Sequence, residues 1–207
     1  DQNQYQNSDI LRSFTQLLNL PNSRLPASEL MTYLEVPAIA RRFGIDDDGV
    51  TLIKAWIKET GIRWGRNGAS KQKWSVPDDT HFTWQFGLDR LLMGILSDEP
   101  IPDLNVLPHA VPLDHILVLN AFLDFCQTVF ETQTQLEAAR SPAQWMSAVG
   151  VLLEELFDPV DQERQDLLKL QDLKDAFLQL SADAKFDRSV TLDFVIAWFD
   201  GQLNRPN

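Results

Sequence analysis

The sequence has a single cysteine, Cys126, and its three histidines are not placed at the spacing of metal ligands. One thiol excludes an internal disulfide framework, and its position within an apolar segment favours a small core residue over a reactive nucleophile. His81, His109 and His115 do not share a helix face and have no cysteine pair nearby. We therefore expect neither a zinc site nor any other metal site.

Catalytic motifs are also missing. The chain has no Gly-x-x-x-x-Gly-Lys-Ser/Thr sequence for binding phosphates and no Gly-x-Ser-x-Gly nucleophile turn. Asp46, Asp47 and Asp48 precede Gly49, but a calcium loop with glycine at its sixth position would use Gly44 and Ala55 as ligands, which is impossible. We expect no catalytic residue and no cofactor. An unrelated all-α enzyme with an unrecognised pocket is the alternative.

No apolar run approaches the ~20 residues that span a bilayer, and nothing is typical of a signal peptide. Together with the scarcity of cysteine, this predicts a cytoplasmic protein without a membrane partner. The first residue is Asp1, not methionine, which suggests a removed leader or a piece of a longer protein.

Charge is distributed unevenly along the chain, whose net charge is −12. Residues 24–94 contain ten Lys/Arg and nine Asp/Glu, whereas residues 95–207 contain seven and nineteen. The acidic C-terminal half would repel nucleic acid. Any phosphate contact is therefore expected in the first half, within residues 63–73.

Apolar residues recur at helical spacing, and no segment alternates convincingly with a period of two. This predicts an all-α fold, an irregular bundle of eight or nine helices. Residues 65–80 lack periodicity and are predicted to form a loop. The expected helix boundaries include N-caps at Ser8 or Asp9, Ser28 and Asp161, a capping box at Ser141–Gln144, and helix ends at Gly44 and Gly61.

Four of the eleven prolines lie between residues 97 and 112. An extended connection is predicted there, between a helical part at 1–96 and an acidic helical part at 113–207. The two parts are expected to form one structural unit.

Residues 63–74 combine cations with tryptophan and contain no acidic residue. Cations neutralise phosphates, and an exposed indole can stack on a base, so this segment is the candidate DNA-binding site. The alternative is that Trp64 belongs to the core and the charges are merely solvated. The candidate DNA-binding residues are Arg63, Arg66, Lys71, Lys73 and Trp74.

The other tryptophans favour packing. Trp56, Trp145 and Trp198 fall on apolar helix faces and are predicted to be core residues. Trp84 and Phe86, at a helix start, could form a hydrophobic junction with Trp64. Arg90 could be buried beside an acidic partner or exposed, and the pattern does not decide between these.

Several motifs occur in a characteristic order: Leu34–Asp46 (LEVPAIARRFGID), Gly61–Gly65 (GIRWG), Thr83–Gly94 (TWQFGLDRLLMG), Ser141–Trp145 (SPAQW) and Leu156–Pro159 (LFDP). The series resembles the gamma-subunit family of exodeoxyribonuclease V, the RecC family of the bacterial RecBCD helicase–nuclease. The specific similarity lies in residues 28–94, and the rest agrees in layout.

The resemblance implies a fragment of a much longer chain that keeps a superfamily 1 helicase architecture without ATPase motifs. It implies the helical accessory region, called 2B in related helicases, and the beta and alpha subunits of exodeoxyribonuclease V as partners, with DNA. The fragment would be a non-catalytic structural and DNA-handling subdomain that supports duplex unwinding, strand channelling and recombinational repair of double-strand breaks. The parent complex would be an ATP-dependent helicase and exonuclease, a hydrolase.

Two positions depart from the family pattern. Arg66 and Asn67 stand where the family commonly has Leu-Asp, and Gln85 replaces an arginine. If that arginine contacted DNA or a neighbouring subunit, the contact is weakened here. A purely protein–protein scaffold without DNA contact is the alternative function.

Overall fold

The computed structural model describes residues 8–97 and 106–204, and within these ranges the protein is all-α with no β-strand. The prediction of an all-α bundle is confirmed. The ten α-helices of the described residues are α1 (Asp9–Leu18), α2 (Ala27–Leu34), α3 (Pro37–Arg42), α4 (Asp47–Thr60), α5 (Gly68–Gln72), α6 (Trp84–Leu96), α7 (Ile116–Gln135), α8 (Pro142–Leu156), α9 (Gln162–Asp183) and α10 (Leu192–Leu203). Two 3₁₀ turns, Leu20–Asn22 and Leu113–His115, precede longer elements.

Three of the predicted helix boundaries are confirmed by the local geometry. The Ser8 hydroxyl accepts the backbone N–H of Leu11 at 3.1 Å and caps α1. Ser141 and Gln144 form the expected capping box of α8. Gly61 ends α4 in the left-handed conformation, with φ of 79°, which glycine adopts without the steric cost that a Cβ imposes.

Two predicted caps are wrong. Helix α2 begins at Ala27, before Ser28, and Pro26 occupies the N-cap without a side-chain hydrogen bond. Asp161 precedes α9 but its carboxylate makes no capping hydrogen bond, and its φ of 46° turns the backbone away from the usual N-cap geometry.

The described residues divide into two compact units. Unit 1 comprises residues 8–22, 36–42 and 128–204, and unit 2 comprises residues 23–35, 43–97 and 106–127. Each unit therefore draws on chain from both sides of residues 97–112. Residues 98–105, the centre of the predicted connection, lie outside the described residues, and the division into 1–96 and 113–207 stays a prediction.

Unit 1 is built on the packing of α8 against α9, with α1 and α10 beside them. Phe14 of α1 meets Phe199 of α10 edge to face, with ring centroids 4.9 Å apart. Trp145 of α8 is fully buried, as predicted, and its indole N–H donates to the carbonyl of Val190 at 2.9 Å. Trp198 is only half-buried, so its prediction as a core residue is corrected.

Ion pairs fasten α3 within unit 1. The Arg41 guanidinium pairs with Glu163 and donates to the carbonyl of Asp158 at 3.1 Å. Arg42 pairs with Glu155 at 3.3 Å, and the backbone N–H of Asp158 donates to the carbonyl of Ala38. Ala38 and Ile39 of this short helix are fully buried, so the backbone and charged contacts at its surface add to its apolar packing.

Unit 2 packs α4 against α6 and buries two predicted core residues, Trp56 and Cys126. Burial raises the pKa of the Cys126 thiol well above its ordinary value because the thiolate is poorly solvated there. Trp84 of α6 is also fully buried and meets Phe122 edge to face, with centroids 6.3 Å apart. This core supports the segment that carries the candidate site.

One described segment, Leu113–Gln135, is long and apolar enough to cross a membrane by length and composition alone. The most apolar window of this segment is 33% buried. Core helices pass the same test, and within unit 2 this helix buries Leu119, Phe122 and Phe125. The segment is therefore weak evidence for a membrane span.

Candidate nucleic-acid interface

The candidate site in unit 2 is organised around residues 61–66, an irregular segment hydrogen-bonded on both sides through its backbone. On one side, Ala27 N–H donates to Arg63 C=O and Gly65 N–H donates to Arg24 C=O, each at 2.8 Å. The opposite contacts are Arg63 N–H to Phe82 C=O at 2.8 Å, Trp84 N–H to Gly65 C=O at 3.0 Å and Gln85 N–H to Arg66 C=O at 2.9 Å. The peptide groups of this segment are thus fixed by neighbouring chain.

The buried side chain of Trp84 holds the neighbours of the 61–66 segment in place. Its fully buried indole donates Nε1–H to the carbonyl of Leu25 at 2.8 Å, which ties the loop before α2 to the start of α6. A Cβ on Gly87, one turn further along α6, would overlap the side chain of Ile62. Glycine is therefore required for the close approach between α6 and the 61–66 segment. The backbone N–H of Trp84 donates to the carbonyl of Gly65, the residue after Trp64, and the hydrophobic junction of Trp84 and Phe86 with Trp64 stays a prediction.

Arg63 is exposed and lies over the ring of Phe82, with its guanidinium carbon 4.7 Å from the ring centroid. Phe82 is 45% exposed and has a φ of 64°, a left-handed conformation that is unusual for an aromatic residue. A cation over an aromatic face keeps its N–H groups available at its edge. Arg63 can therefore donate to an approaching anion while it remains stacked.

Arg24 is a candidate that sequence reasoning missed. Its guanidinium carbon lies 4.7 Å from the ring centroid of Trp74 and 5.9 Å from that of Trp64, although these residues are far apart in the chain. Arg24 is exposed, and both indoles are half-buried. Because the contact depends on tertiary packing of the loop before α2, no local motif could have indicated it.

Lys71 differs from the other candidate cations because it is 4% exposed. Its ammonium donates to the carbonyl of His81 at 2.7 Å and lies 5.3 Å from the ring centroid of Trp64. A buried ammonium must be paired within the protein, and here it closes the turn between α5 and α6. Lys71 thus has a structural role within unit 2.

The prediction that residues 65–80 form a loop throughout is wrong. Gly68–Gln72 form helix α5, and Asn67 and Ser70 supply a reciprocal capping box at its start. A Cβ on Gly68 would overlap the carboxylate of Asp78, so this short helix is packed against residues 78–80. The glycine and serine content that predicted a loop instead provides the N-terminal cap of a helix.

Two exposed carboxylates, Asp78 and Asp79, lie close to the basic segment. The Asp79 carboxylate accepts the backbone N–H of His81 at 3.0 Å and contacts the His81 ring at 2.7 Å. The hydrogen bond from the His81 backbone, followed by that from its side chain, lowers the pKa of Asp79 below its ordinary value. The site therefore contains anions that the segment 63–74 alone does not.

We call the exposed or half-exposed cations and aromatic residues of this site the cation–aromatic cluster. Its members are Arg24, Arg63, Trp64, Arg66, Lys73, Trp74 and Phe82. Gln85 is exposed and follows the buried Trp84 directly in the chain. The cluster offers guanidinium and ammonium donors beside aromatic faces, a combination suited to phosphates and unpaired bases.

Arg90, left open by the sequence, is used inside unit 2. Its guanidinium donates to three backbone carbonyls, those of Leu107 at 2.8 Å, Thr60 at 2.9 Å and Glu59 at 3.4 Å. The last two belong to the C-terminal turn of α4, where the helix dipole favours a cation. Arg90 therefore joins α6 to the end of α4 and is not part of the cluster.

Within the two described ranges, no group of three or more histidine, cysteine, aspartate or glutamate residues is arranged to hold a metal ion. The buried hydroxyl of Thr60 donates within its own helix, to the carbonyl of Trp56 at 2.7 Å. The cations and aromatic rings of the site can make electrostatic and stacking contacts.

Comparison with known proteins shows the family to which the chain belongs. Residues 7–207 match the family model of the RecBCD enzyme subunit RecC fourth domain. The chain belongs to the RecC family. A RecC from Mycolicibacterium smegmatis is 33% identical over 150 residues, which cover 70% of this chain and 14% of that protein. A RecC from Escherichia coli is 36% identical over 94 residues, covering 45% of this chain and 8% of that protein.

A RecC from Mycobacterium tuberculosis is 27% identical over 150 residues, again 70% of this chain and 14% of that protein. The chain thus spans a small fraction of the length of the curated RecC relatives that it matches. The resemblance expected from the sequence motifs is confirmed at the level of the family. The matching family model extends this similarity beyond residues 28–94 into the acidic half.

Proposed function

We propose that this chain is a non-catalytic structural and DNA-handling domain of an exodeoxyribonuclease V gamma subunit. In this role it would support duplex unwinding, strand channelling and recombinational repair of double-strand breaks in the cytoplasm, together with the beta and alpha subunits. Its all-α fold and RecC membership support a place comparable to the 2B accessory region of superfamily 1 helicases. The enzymatic steps would be carried out elsewhere in the complex.

The observation that carries the DNA-handling role is the cation–aromatic cluster. Arg24, Arg63, Arg66 and Lys73 are exposed around a backbone fixed by hydrogen bonds, while the neighbouring aromatic rings are partly exposed. Contacts of this kind bind the sugar–phosphate backbone without reading sequence. Lys71 is omitted from the proposed contacts because its ammonium is buried and already bonded.

Trp74 is proposed as a support for this contact. With Arg24 stacked on its ring, the indole holds a guanidinium in a fixed orientation, and an oriented guanidinium binds phosphate through two parallel N–H groups. Stacking of a base on the face of the half-buried Trp74 ring would be secondary.

The test is charge reversal in the assembled complex. Arg63→Glu, Arg66→Glu and Lys73→Glu are combined in the gamma subunit, and the affinity for a forked DNA is measured as a function of salt concentration. Loss of three phosphate contacts lowers the slope of log K against log salt by roughly 2–3, at about 0.7–0.9 per contact. Lys54, Lys58 and Arg164 are also exposed and lie outside the cluster. Their reversal to Glu is the matched control, and it is expected to leave the slope within about one contact.

An unchanged slope in the cluster variant, with the complex intact, would remove DNA contact by these residues from the proposal. The protein–protein scaffold would then be the better account. That alternative is favoured by the charge of unit 1, whose described residues contain fifteen Asp/Glu and nine Lys/Arg. Such a surface repels DNA and is better suited to a protein partner.

A further inference from the structure

A second surface lies in unit 1, where the C-terminal half of α9, the following turn and α10 enclose an apolar groove of about 290 Å³. We call this surface the α9–α10 groove. It is lined by one serine and by Phe177, Leu180, Ala184, Phe186, Phe194 and Trp198. Phe177 forms the floor, with edge-to-face contacts to Phe194 at 6.2 Å and to Trp198 at 5.4 Å between ring centroids.

The groove is apolar and open to solvent. Leu180 and Phe194 are each 54% exposed, and Phe186 is 41% exposed. The serine, Ser181, donates its hydroxyl to the carbonyl of Phe177 at 2.8 Å, so its proton is already used. Adjacent exposed aromatic and aliphatic side chains of this size mark interaction sites, because leaving them in water is unfavourable. The occupant must therefore be apolar where it enters the groove.

The charged residues beside the groove indicate the sign of the charge that the occupant carries. Asp183, Asp187 and Asp193 are all exposed and lie directly next to lining residues in the chain, and two cations, Lys185 and Arg188, share the same turn. Unit 1 as a whole carries six more carboxylates than cations among its described residues. This field favours a basic partner and disfavours an anionic lipid or a nucleic acid.

The geometry points to a basic amphipathic helix of another polypeptide as the occupant of the α9–α10 groove. We propose that such a helix inserts large apolar side chains at i, i+3 and i+4 spacing between α9 and α10, while its lysines or arginines meet Asp183, Asp187 and Asp193. A groove between two helices accepts a third helix in this manner. This inference extends the structural role proposed above. It rests on the proposed function only for the identity of the partner as another subunit of the complex.

Photo-crosslinking in the assembled complex tests the proposal. The photoreactive amino acid p-benzoylphenylalanine replaces Phe194, and the crosslinked peptide is identified by mass spectrometry. The expected product joins Phe194's position to a helical, Lys/Arg-flanked apolar segment of a different subunit. The matched control places the same amino acid at Leu168, which is 56% exposed on α9 but does not line the groove. A crosslink within the gamma subunit, to a second copy of it or to an acidic segment, or a yield no higher than at Leu168, would overturn the proposal.

A second measurement uses the 207-residue chain and does not need the complex. The probe is a synthetic amphipathic peptide with leucine and phenylalanine on one helix face and lysine on the other. Its Kd is expected to rise at least tenfold when Leu180→Gln and Phe194→Gln are combined, and to change less than twofold for Leu168→Gln with Val151→Gln. Replacing the peptide's lysines by glutamate is expected to abolish binding.

All four substituted side chains are at least 41% exposed, which keeps the fold of each variant. Equal affinity for the lysine and glutamate peptides, or for the groove and control variants, would refute the inference. Failure of the unsubstituted gamma subunit to assemble with the other subunits would instead contradict the proposed function, while the peptide measurement still decides about the groove.

Discussion

Replacement of Arg90 by methionine provides the sharpest test of how unit 2 is held together. Methionine retains much of the side-chain length but removes the donors to the carbonyls of Leu107, Thr60 and Glu59. A hydrogen bond from a charged donor contributes about 1.5–3 kcal/mol, and a long contact contributes less. Because Arg90 is only half-buried, water can replace part of this. We expect the free energy of unfolding to fall by about 2–4 kcal/mol.

For a chain of this length, that loss corresponds to a decrease in Tm of roughly 5–15 °C. Urea unfolding followed by circular dichroism measures the change. Lys58→Met is the control, since Lys58 is exposed on α4 and makes no described contact with the carbonyls that Arg90 binds. Arg90→Lys is expected to recover less than half of the loss, because one ammonium cannot reach three separate carbonyls. A loss for Arg90→Met within about 0.5 kcal/mol of the control would refute the bridging role.

Two further predictions concern a glycine contact and a carboxylate. A Cβ at Gly94 would overlap the carbonyl of His109, a backbone group with little freedom to move. Gly94→Ala is therefore expected to lower the free energy of unfolding, measured in urea, by about 1–3 kcal/mol. Gly201→Ala, in open space on α10, should instead gain up to about 1 kcal/mol, and equal effects would contradict the overlap. Asp79 has a lowered pKa in the folded state, so its stabilising contribution is present above the unfolded carboxyl pKa and is lost as the pH falls through the folded pKa. Asp79→Asn should therefore weaken the acid dependence of stability below about pH 4, and an unchanged acid limb would argue against the contact with His81.

Helix starts and ends were predicted well where the signal is local. Ser141, Gln144 and Gly61 act through residues within four positions, so their sequence spacing is sufficient to predict the cap. Asp161 failed because a capping residue also needs an extended backbone, and its left-handed φ could not be inferred from the residue type. Gly68 and Ser70 were misinterpreted because the same residues favour both loops and helix N-termini.

The candidate site was only partly predictable for a different reason. Arg63 and Lys73 are exposed cations, as composition suggested, but Lys71 is buried and Arg24 joins the site from a distant loop. Both differences arise from tertiary packing around Trp64, which a linear charge pattern does not contain. The α9–α10 groove was missed because Phe194 and Trp198 fit an apolar helix face, and the sequence does not show that this face is left open.

The backbone pairing of residues 61–66 has a consequence for how this surface can change. Since peptide groups set its path, replacement of the exposed side chain of Arg63 leaves these backbone hydrogen bonds in place. Side-chain atoms would bind a ligand here, whereas backbone atoms stabilise the segment against unfolding. Related chains can therefore differ in the exposed side chains of this surface, and in how strongly it binds a ligand, while keeping the same backbone path.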